Sequence, residues 1–483
     1  MAQHRKNPHH PPRGAAPLGG HRSQDEPGRA LRHPECPEPA ALGPNRAEAV
    51  LRAEAAAVRA EDEAERARIE RLERLEEAQQ ERRATTRRRF LAGSALTATA
   101  LATSTLVSGR LSFGTLADNG TLVQVFLYGG MDGLSLLAPA NDPILRKSRP
   151  ALLLPENGSI PVGRGFALNK AFEPLKKYLD LGELAFVAGV SDPRISRSHF
   201  QAADACELGG LPNQSAGRGW LDSLVGLLGP GTPFRAVGIG STLARSLVGT
   251  EGAIVLNSIA SLGINGEQKF KEPTVTAVRT LFTGIDHPLE DIVKAGLGAL
   301  ATASDLARTG YTPAAGVQYE GDVGDAFKEI AHLIKGGANV RVASIGMGGY
   351  DTHQEQGTND GHLYGKLNEL AKALRAFFDD LGELRKDVTV MVVSEFGRRV
   401  AQNTSGTDHG HGGVATILTG RKVAGPILGA WGGLDTLDNG DVPEFNNMFN
   451  LFGSVAQSQF GLSAADVQRI FPAQKFEPIG VMR

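Results

Sequence analysis

Between residues 121 and 393 the chain repeatedly sets a short apolar run in front of a turn rich in Gly, Asp or Ser, and that rhythm admits few folds. Residues 121–128 (TLVQVFLY) lead into Gly129-Gly130-Met131-Asp132-Gly133, and residues 184–190 into Ser191-Asp192-Pro193. Residues 234–239 end in Gly240-Ser241, 339–345 in Gly346-Met347-Gly348-Gly349, and 388–393 in Ser394-Glu395-Phe396-Gly397. Runs this short, apolar at consecutive positions, suit strands covered on both faces. Helical spacing lies between them. Phe327, Ile330, Ala331 and Ile334 share one face of 326–334. Leu363, Leu367, Leu370, Leu374, Phe377, Phe378 and Leu381 recur at three- and four-residue steps within 363–384. The alternation implies an α/β fold, a mostly parallel central sheet with helices on both faces. Residues 446–471 read as closing helices over the sheet edge.

In such sheets ligands bind beyond the carboxyl ends of the strands. Asp132, Ser198, Asp351, His353 and Glu395 all stand just past such ends. Turn chemistry accounts for Asp132 or Asp351, but not for Glu395 or the histidines. Residues 407–413 (TDHGHGG) add Asp408, His409 and His411 on a glycine-rich backbone expected to be neither helix nor regular strand. Imidazole and carboxylate are ligands for zinc and similar divalent ions, and glycine lets the chain turn sharply enough to aim them together. A polar surface loop is the competing reading, although only 12 of 483 residues are His. The two cysteines, Cys36 and Cys206, offer neither a disulfide framework nor thiolate ligation, so a metal site here is built from His, Asp and Glu. A net charge of −2 leaves no electrostatic footprint for nucleic acid.

The first 85 residues differ in kind. Residues 1–45, rich in Pro, His, Arg and Gly, are expected to be disordered. Residues 46–84, with Ala, Glu, Arg and Leu but no Gly or Pro, favour a solvated helix. Residues 86–109 then open with Thr86-Arg87-Arg88-Arg89-Phe90-Leu91 and continue as a modestly hydrophobic stretch, which resembles a twin-arginine export signal. Ala98-Thr99-Ala100 and Ala100-Leu101-Ala102 offer cleavage patterns, and an uncleaved membrane anchor is the competing reading. Such signals normally stand near the N-terminus, whereas 86 residues precede this arginine pair. The expectation is an exported protein, periplasmic or extracellular, that uses the twin-arginine translocase. Its main domain runs over 120–475.

Five motifs in order carry a wider resemblance: residues 128–134 (YGGMDGL), 197–200 (RSHF), 349–353 (GYDTH), 394–398 (SEFGR) and 407–412 (TDHGHG). Together they resemble the DUF1501 family of exported bacterial proteins over roughly 120–470. That family is in turn similar to the alkaline phosphatase and sulfatase superfamily. The resemblance implies an alkaline phosphatase-like α/β fold and a divalent metal centre of one or two ions, with zinc first and calcium or manganese also admissible. It implies Ser198 as nucleophile and Asp132, Asp351, His353, Glu395 and His411 as metal ligands, with Asp408 and His409 beside the last. Ser198 read alone is equally a helix N-cap, worth about 1 kcal/mol. Arg197 is the candidate clamp for an oxyanion, and Arg398 is expected to be solvated. Two departures stand out. Glu395-Phe396 occupies a place where many relatives have Asp-His, and the Asp351-x-His353 spacing is tighter than is common in phosphatases. The implied function is hydrolysis of small-molecule phosphate or sulfate esters. The alternative is a metal-bearing, non-catalytic binding or scaffold protein on the same fold. Trp220 and Trp431 are expected to be core or loop anchors.

Overall fold

A computed structural model describes residues 120–483, apart from 212–216, 265–266 and 285–286. The leader over 1–85 and the signal segment over 86–109 lie outside the described residues. After β1 (Thr121–Leu127) comes a small antiparallel sheet of β2 (Leu137–Pro139), β3 (Ile160–Gly163) and β4 (Phe166–Leu168). Next are β5 (Leu184–Ser191), β6 (Ala236–Ile239), β7 (Ile254–Leu256), β8 (Val342–Met347) and β9 (Val388–Ser394). The last strands are β10 (Arg398–Gln402), β11 (Thr407–His409), β12 (Gly413–Thr419), β13 (Ile427–Leu428) and β14 (Asn446–Asn447).

The main sheet has nine strands in the order β13-β5-β12-β9-β1-β8-β6-β7, with β14 also paired to β5. Only β12 runs antiparallel to its neighbours, β5 and β9. All seven residues of β1 are buried, because successive side chains enter opposite cores. Val123, Val125 and Leu127 pack with Phe327, Leu367 and Phe377 of the helices Gly321–Lys335 and Gly361–Leu381. Leu122 and Phe126 face the other way, toward Trp220, Phe449 and Phe452 of the helices Trp220–Leu228 and Met448–Phe460. Helices therefore cover both faces, the arrangement that continuous apolar strands require. Trp220 is wholly buried, donates to Gln124 Oε1 at 2.8 Å and stacks on Phe452. Trp431 packs edge-on against Phe166 and Phe445, as a loop anchor does.

Several boundaries differ from the sequence expectation, each for a local reason. The run at 234–239 becomes strand only at Ala236, because Pro233–Arg235 forms a 3-10 turn with proline at its first position. The run at 339–345 becomes strand only at Val342, and Asn339 at its start takes a positive φ of 55°, outside the strand region. The helix expected over 363–384 ends at Leu381 and tightens to a 3-10 turn over Gly382–Asp387. Residues 407–413 do contain regular strand, contrary to expectation. Thr407–His409 pairs antiparallel with β10, Arg398 opposite His409, and Gly413 opens β12. Glycine permits this hairpin by allowing close approach rather than by forbidding extension: a Cβ at Gly410 would lie 2.5 Å from the Arg398 carbonyl carbon. Among the described residues no helix is long and apolar enough to cross a membrane.

Candidate metal centre

The carboxyl ends of β1, β5, β8 and β9, with the start of the antiparallel β12, meet at one edge of the sheet. Asp351 and His353 follow β8, Glu395 follows β9, and His409 ends β11. His199 comes from the loop after β5, where it opens the helix His199–Leu208. Gly129, past the end of β1, holds a φ of 117°, and a Cβ there would lie 2.3 Å from the Asp351 backbone nitrogen. Glycine at that position is what lets the Asp351 loop lie against the β1 turn.

Two imidazoles and one carboxylate, those of His199, His409 and Asp351, converge, with the His353 ring beside them. His409 Nε2 is 3.0 Å from His199 Nε2 and 2.9 Å from His353 Nε2. Asp351 Oδ1 stands 3.0 Å from His353 Nε2 and 3.3 Å from His409 Nε2, while Oδ2 is 3.4 Å from His199 Nε2. A tetrahedral zinc ion with Zn–N near 2.0–2.1 Å separates its ligand atoms by about 3.4 Å, and the spacings among His199, Asp351 and His409, 3.0, 3.3 and 3.4 Å, come near that value. Each ring is also held from behind. Glu395 Oε1 lies 2.7 Å from His199 Nδ1, the Arg197 carbonyl 2.9 Å from His409 Nδ1, and Asp408 Oδ1 3.1 Å from His353 Nδ1. All three acceptors call for a proton on Nδ1, which leaves the Nε2 lone pairs directed at the common point. His409 Nε2 has a single lone pair yet faces two other ring nitrogens and a carboxylate oxygen within 3.3 Å. A cation among them would relieve that crowding.

The electrostatics follow from the same contacts. Burial lowers the His199 pKa, but hydrogen bonds to Asp351 and Glu395 outweigh it and push the ring up to about 9. Bonds to Asp351 and Asp408 raise His353 to about 9 against its burial. Burial holds His409 below the ordinary imidazole value despite the Asp351 bond, and the charges of Arg398 and His199 add to the lowering. Burial would raise Asp351, yet bonds from His199, His353 and His409 hold it far below the carboxylate range. Two ring protons thus supply positive charge where a divalent ion would. The side chain of Asp351 is 46% exposed, so the centre opens to solvent on that side.

Arg398 departs from expectation. It is buried rather than solvated, and its guanidinium donates to the carbonyls of Gly130 at 2.7 Å and Thr407 at 2.8 Å and to the Asp351 carboxylate. A planar fork with five donors can bind the β1 turn, the Asp351 loop and the β11 strand at once. The other expected residues are placed as follows. Asp408 and Glu395 sit behind histidines, with Glu395 also accepting from Gly129 N–H at 2.8 Å. Asp132 is wholly buried away from the convergence point, where Arg149 Nη1 donates to Oδ2 at 2.7 Å and to Oδ1 at 3.0 Å. His411 stands outside the cluster, and its carbonyl accepts from Gly397 N–H at 2.7 Å. Arg197 pairs with the buried Asp441, which Arg399 also reaches. Ser198 is exposed at the N-cap of its helix, where its side chain makes no capping bond. Sequence reasoning gave no role to His199, although it sits in the same motif as Arg197 and Ser198. The signal was available, as a further histidine shortly past a strand end.

With that geometry in view, comparison with known proteins gives a family match over part of the chain. Residues 302–456 match the model of the DUF1501 family, described as a protein of unknown function. The resemblance read from the motifs is therefore found over a span that holds three of them, those containing Asp351, Glu395 and His409. No curated protein matches the chain. Among solved structures the chain is similar to the C-terminal periplasmic domain of EcEptC from Escherichia coli in complex with Zn. That match has 9% identity and a TM-score of 0.32, covering 65% of this chain and 77% of that one. It is also similar to the lipoteichoic acid synthase LtaP from Listeria monocytogenes, at 10% identity and a TM-score of 0.31, over 69% and 76% of the two chains. An alkaline phosphatase from the Antarctic bacterium TAB5 matches at 10% identity and a TM-score of 0.26, over 74% of this chain and 100% of that one.

Proposed function

We propose that this protein is an exported, metal-dependent hydrolase of phosphate or sulfate esters, with one cation held by His199, Asp351 and His409 and with His353 beside them. The observation that carries this reading is the set of three rings, each held at Nδ1 by an acceptor and directed through Nε2 toward Asp351. Zinc suits a donor set of imidazoles and a carboxylate. One ion rather than two follows from Asp132, whose carboxylate is already neutralised by Arg149. The ester class and the export route come from the motif resemblance and from Arg87-Arg88 with Phe90-Leu91, which would engage the twin-arginine translocase.

A bound divalent ion would polarise an ester oxygen and stabilise the charge that develops there. Ser198 is the proposed nucleophile. It adjoins the ligand His199, is exposed, and has a hydroxyl that does not cap its helix. Its oxygen would bond to phosphorus or sulfur as the alcohol leaves with the hydroxyl proton. Water would then regenerate the serine and free the phosphate or sulfate. The first amides of His199–Leu208 favour an anion at that position.

One observation favours the alternative of a non-catalytic metal-bearing protein: Asp132, expected to help hold the metal, is paired with Arg149 instead. Metal analysis of purified protein, with turnover of aryl phosphates and aryl sulfates, tests both readings. The hydrolase reading expects about one ion per chain and turnover that Ser198→Ala abolishes with the metal retained. Full turnover in Ser198→Ala removes that residue. Stoichiometric metal without turnover of any ester favours the binding protein, and a metal-free chain refutes both.

A further inference from the structure

The two segments that bring the proposed ligands together are not joined by those ligands alone. Thr352 lies between Asp351 and His353, and Thr407 lies two residues before His409. Both hydroxyls turn inward and donate to a single atom, Gln356 Oε1, at 3.0 and 2.8 Å. The amide nitrogen of the same side chain donates to Asp132 Oδ2 at 2.7 Å and to Ser135 Oγ at 2.9 Å. A glutamine amide has two N–H donors and two acceptor lone pairs, and Gln356 uses all four. Gln356, Asp132, Ser135 and Thr407 are wholly buried, and Thr352 is 3% exposed. Arg149 closes the network: it holds Asp132 and donates to the carbonyl of Val400 at 2.8 Å, on the strand paired with the one that ends in His409.

We propose that Gln356 is a positioning residue of the metal centre, fixing the distance between the Asp351–His353 segment and the His409 strand, with Asp132 and Arg149 as its anchor. This rests on the metal reading of the site. A neutral amide is the group that does this work. A carboxylate there would face Asp132 as a like charge, and an aliphatic side chain would leave the two buried threonine hydroxyls without their acceptor and remove one donor from Asp132 Oδ2. Asp132 thereby acts on the centre through Gln356 rather than as a ligand.

The test is Co2+ titration of the full chain, read by its visible absorption, which reports coordination geometry as well as occupancy. Gln356→Leu, close in size but unable to bond, is expected to weaken Co2+ binding about tenfold, the low end for partners outside the ligand shell, and to shift the absorption band. Thr407→Val should do the same, and Thr407→Ser, which keeps the hydroxyl, should restore wild-type binding and spectrum. If Gln356→Leu does not fold, the threonine pair decides alone. Binding and spectrum unchanged in Thr407→Val overturn the proposal, whatever the wild type does with esters. A wild type that binds no Co2+ overturns the metal reading itself, and this inference with it.

Discussion

His199 and His411 give opposite expectations from sequence and from structure, so the two alanine variants make a decisive pair. His199 Nε2 faces His409 Nε2 at 3.0 Å and Asp351 at 3.4 Å, whereas His411 stands outside the cluster. Four-donor zinc sites hold their metal by about 10–16 kcal/mol, so one donor in four is worth about 3 kcal/mol. At about 1.4 kcal/mol per decade, His199→Ala should weaken zinc binding by about a hundredfold or more, and His411→Ala by less than about threefold. Competition against a chromophoric chelator measures both. Loss of His199 also deprives the buried Glu395 of its 2.7 Å partner, so thermal unfolding in excess chelator is needed to separate destabilisation from lost ligation. Near-wild-type zinc affinity in His199→Ala, or an equal loss in His411→Ala, would refute the assignment of ligands made from the geometry.

Two further expectations concern stability. Burial raises the Glu207 pKa from 4.5 to about 6, against hydrogen bonds from Ser246 N–H and Tyr128 that lower it. A carboxyl raised in the folded state contributes stability that is full below pH 4.5 and lost as pH rises through 6. Glu207→Gln keeps the group neutral, so it should match wild type near pH 4 and exceed it by about 2 kcal/mol at pH 8 in urea unfolding. An equal difference at both pH values would point to packing instead. Arg149→Met leaves the Asp132 carboxylate buried without its ion pair, an arrangement that costs about 3–5 kcal/mol. A melting temperature within about one degree of wild type, against the roughly 4–7 °C drop expected for a domain of this size, would show that the pair is dispensable.

Much of the architecture was legible because it depends on local periodicity. The apolar runs ahead of Gly129, Ser394 and the Asp351 loop are strands of one sheet, and the stripe from Leu363 to Leu381 is a buried helix face. The misreadings came from interactions between segments distant in sequence. Nothing near 407–409 announces that residues 398–402 will pair with it, so a hairpin read as an irregular loop. Arg398 read as solvated because its partners, Gly129, Gly130, Asp351 and Thr407, belong to three separate parts of the chain.

The site divides along the same line. Residue type and position after a strand end were enough to mark Asp351, His353, Glu395 and the Asp408–His409 pair as members of one crevice, since a parallel sheet brings its strand ends to one edge. Sequence also set the donor chemistry: with two cysteines remote from these motifs, imidazole and carboxylate were what remained. Which nitrogen points inward is decided only in three dimensions. A histidine turns its Nε2 inward when something holds its Nδ1, and those acceptors lie 55, 196 and 212 residues away along the chain. The same packing gives Asp132 to Arg149 and leaves His411 outside, although both carry side chains suited to a metal.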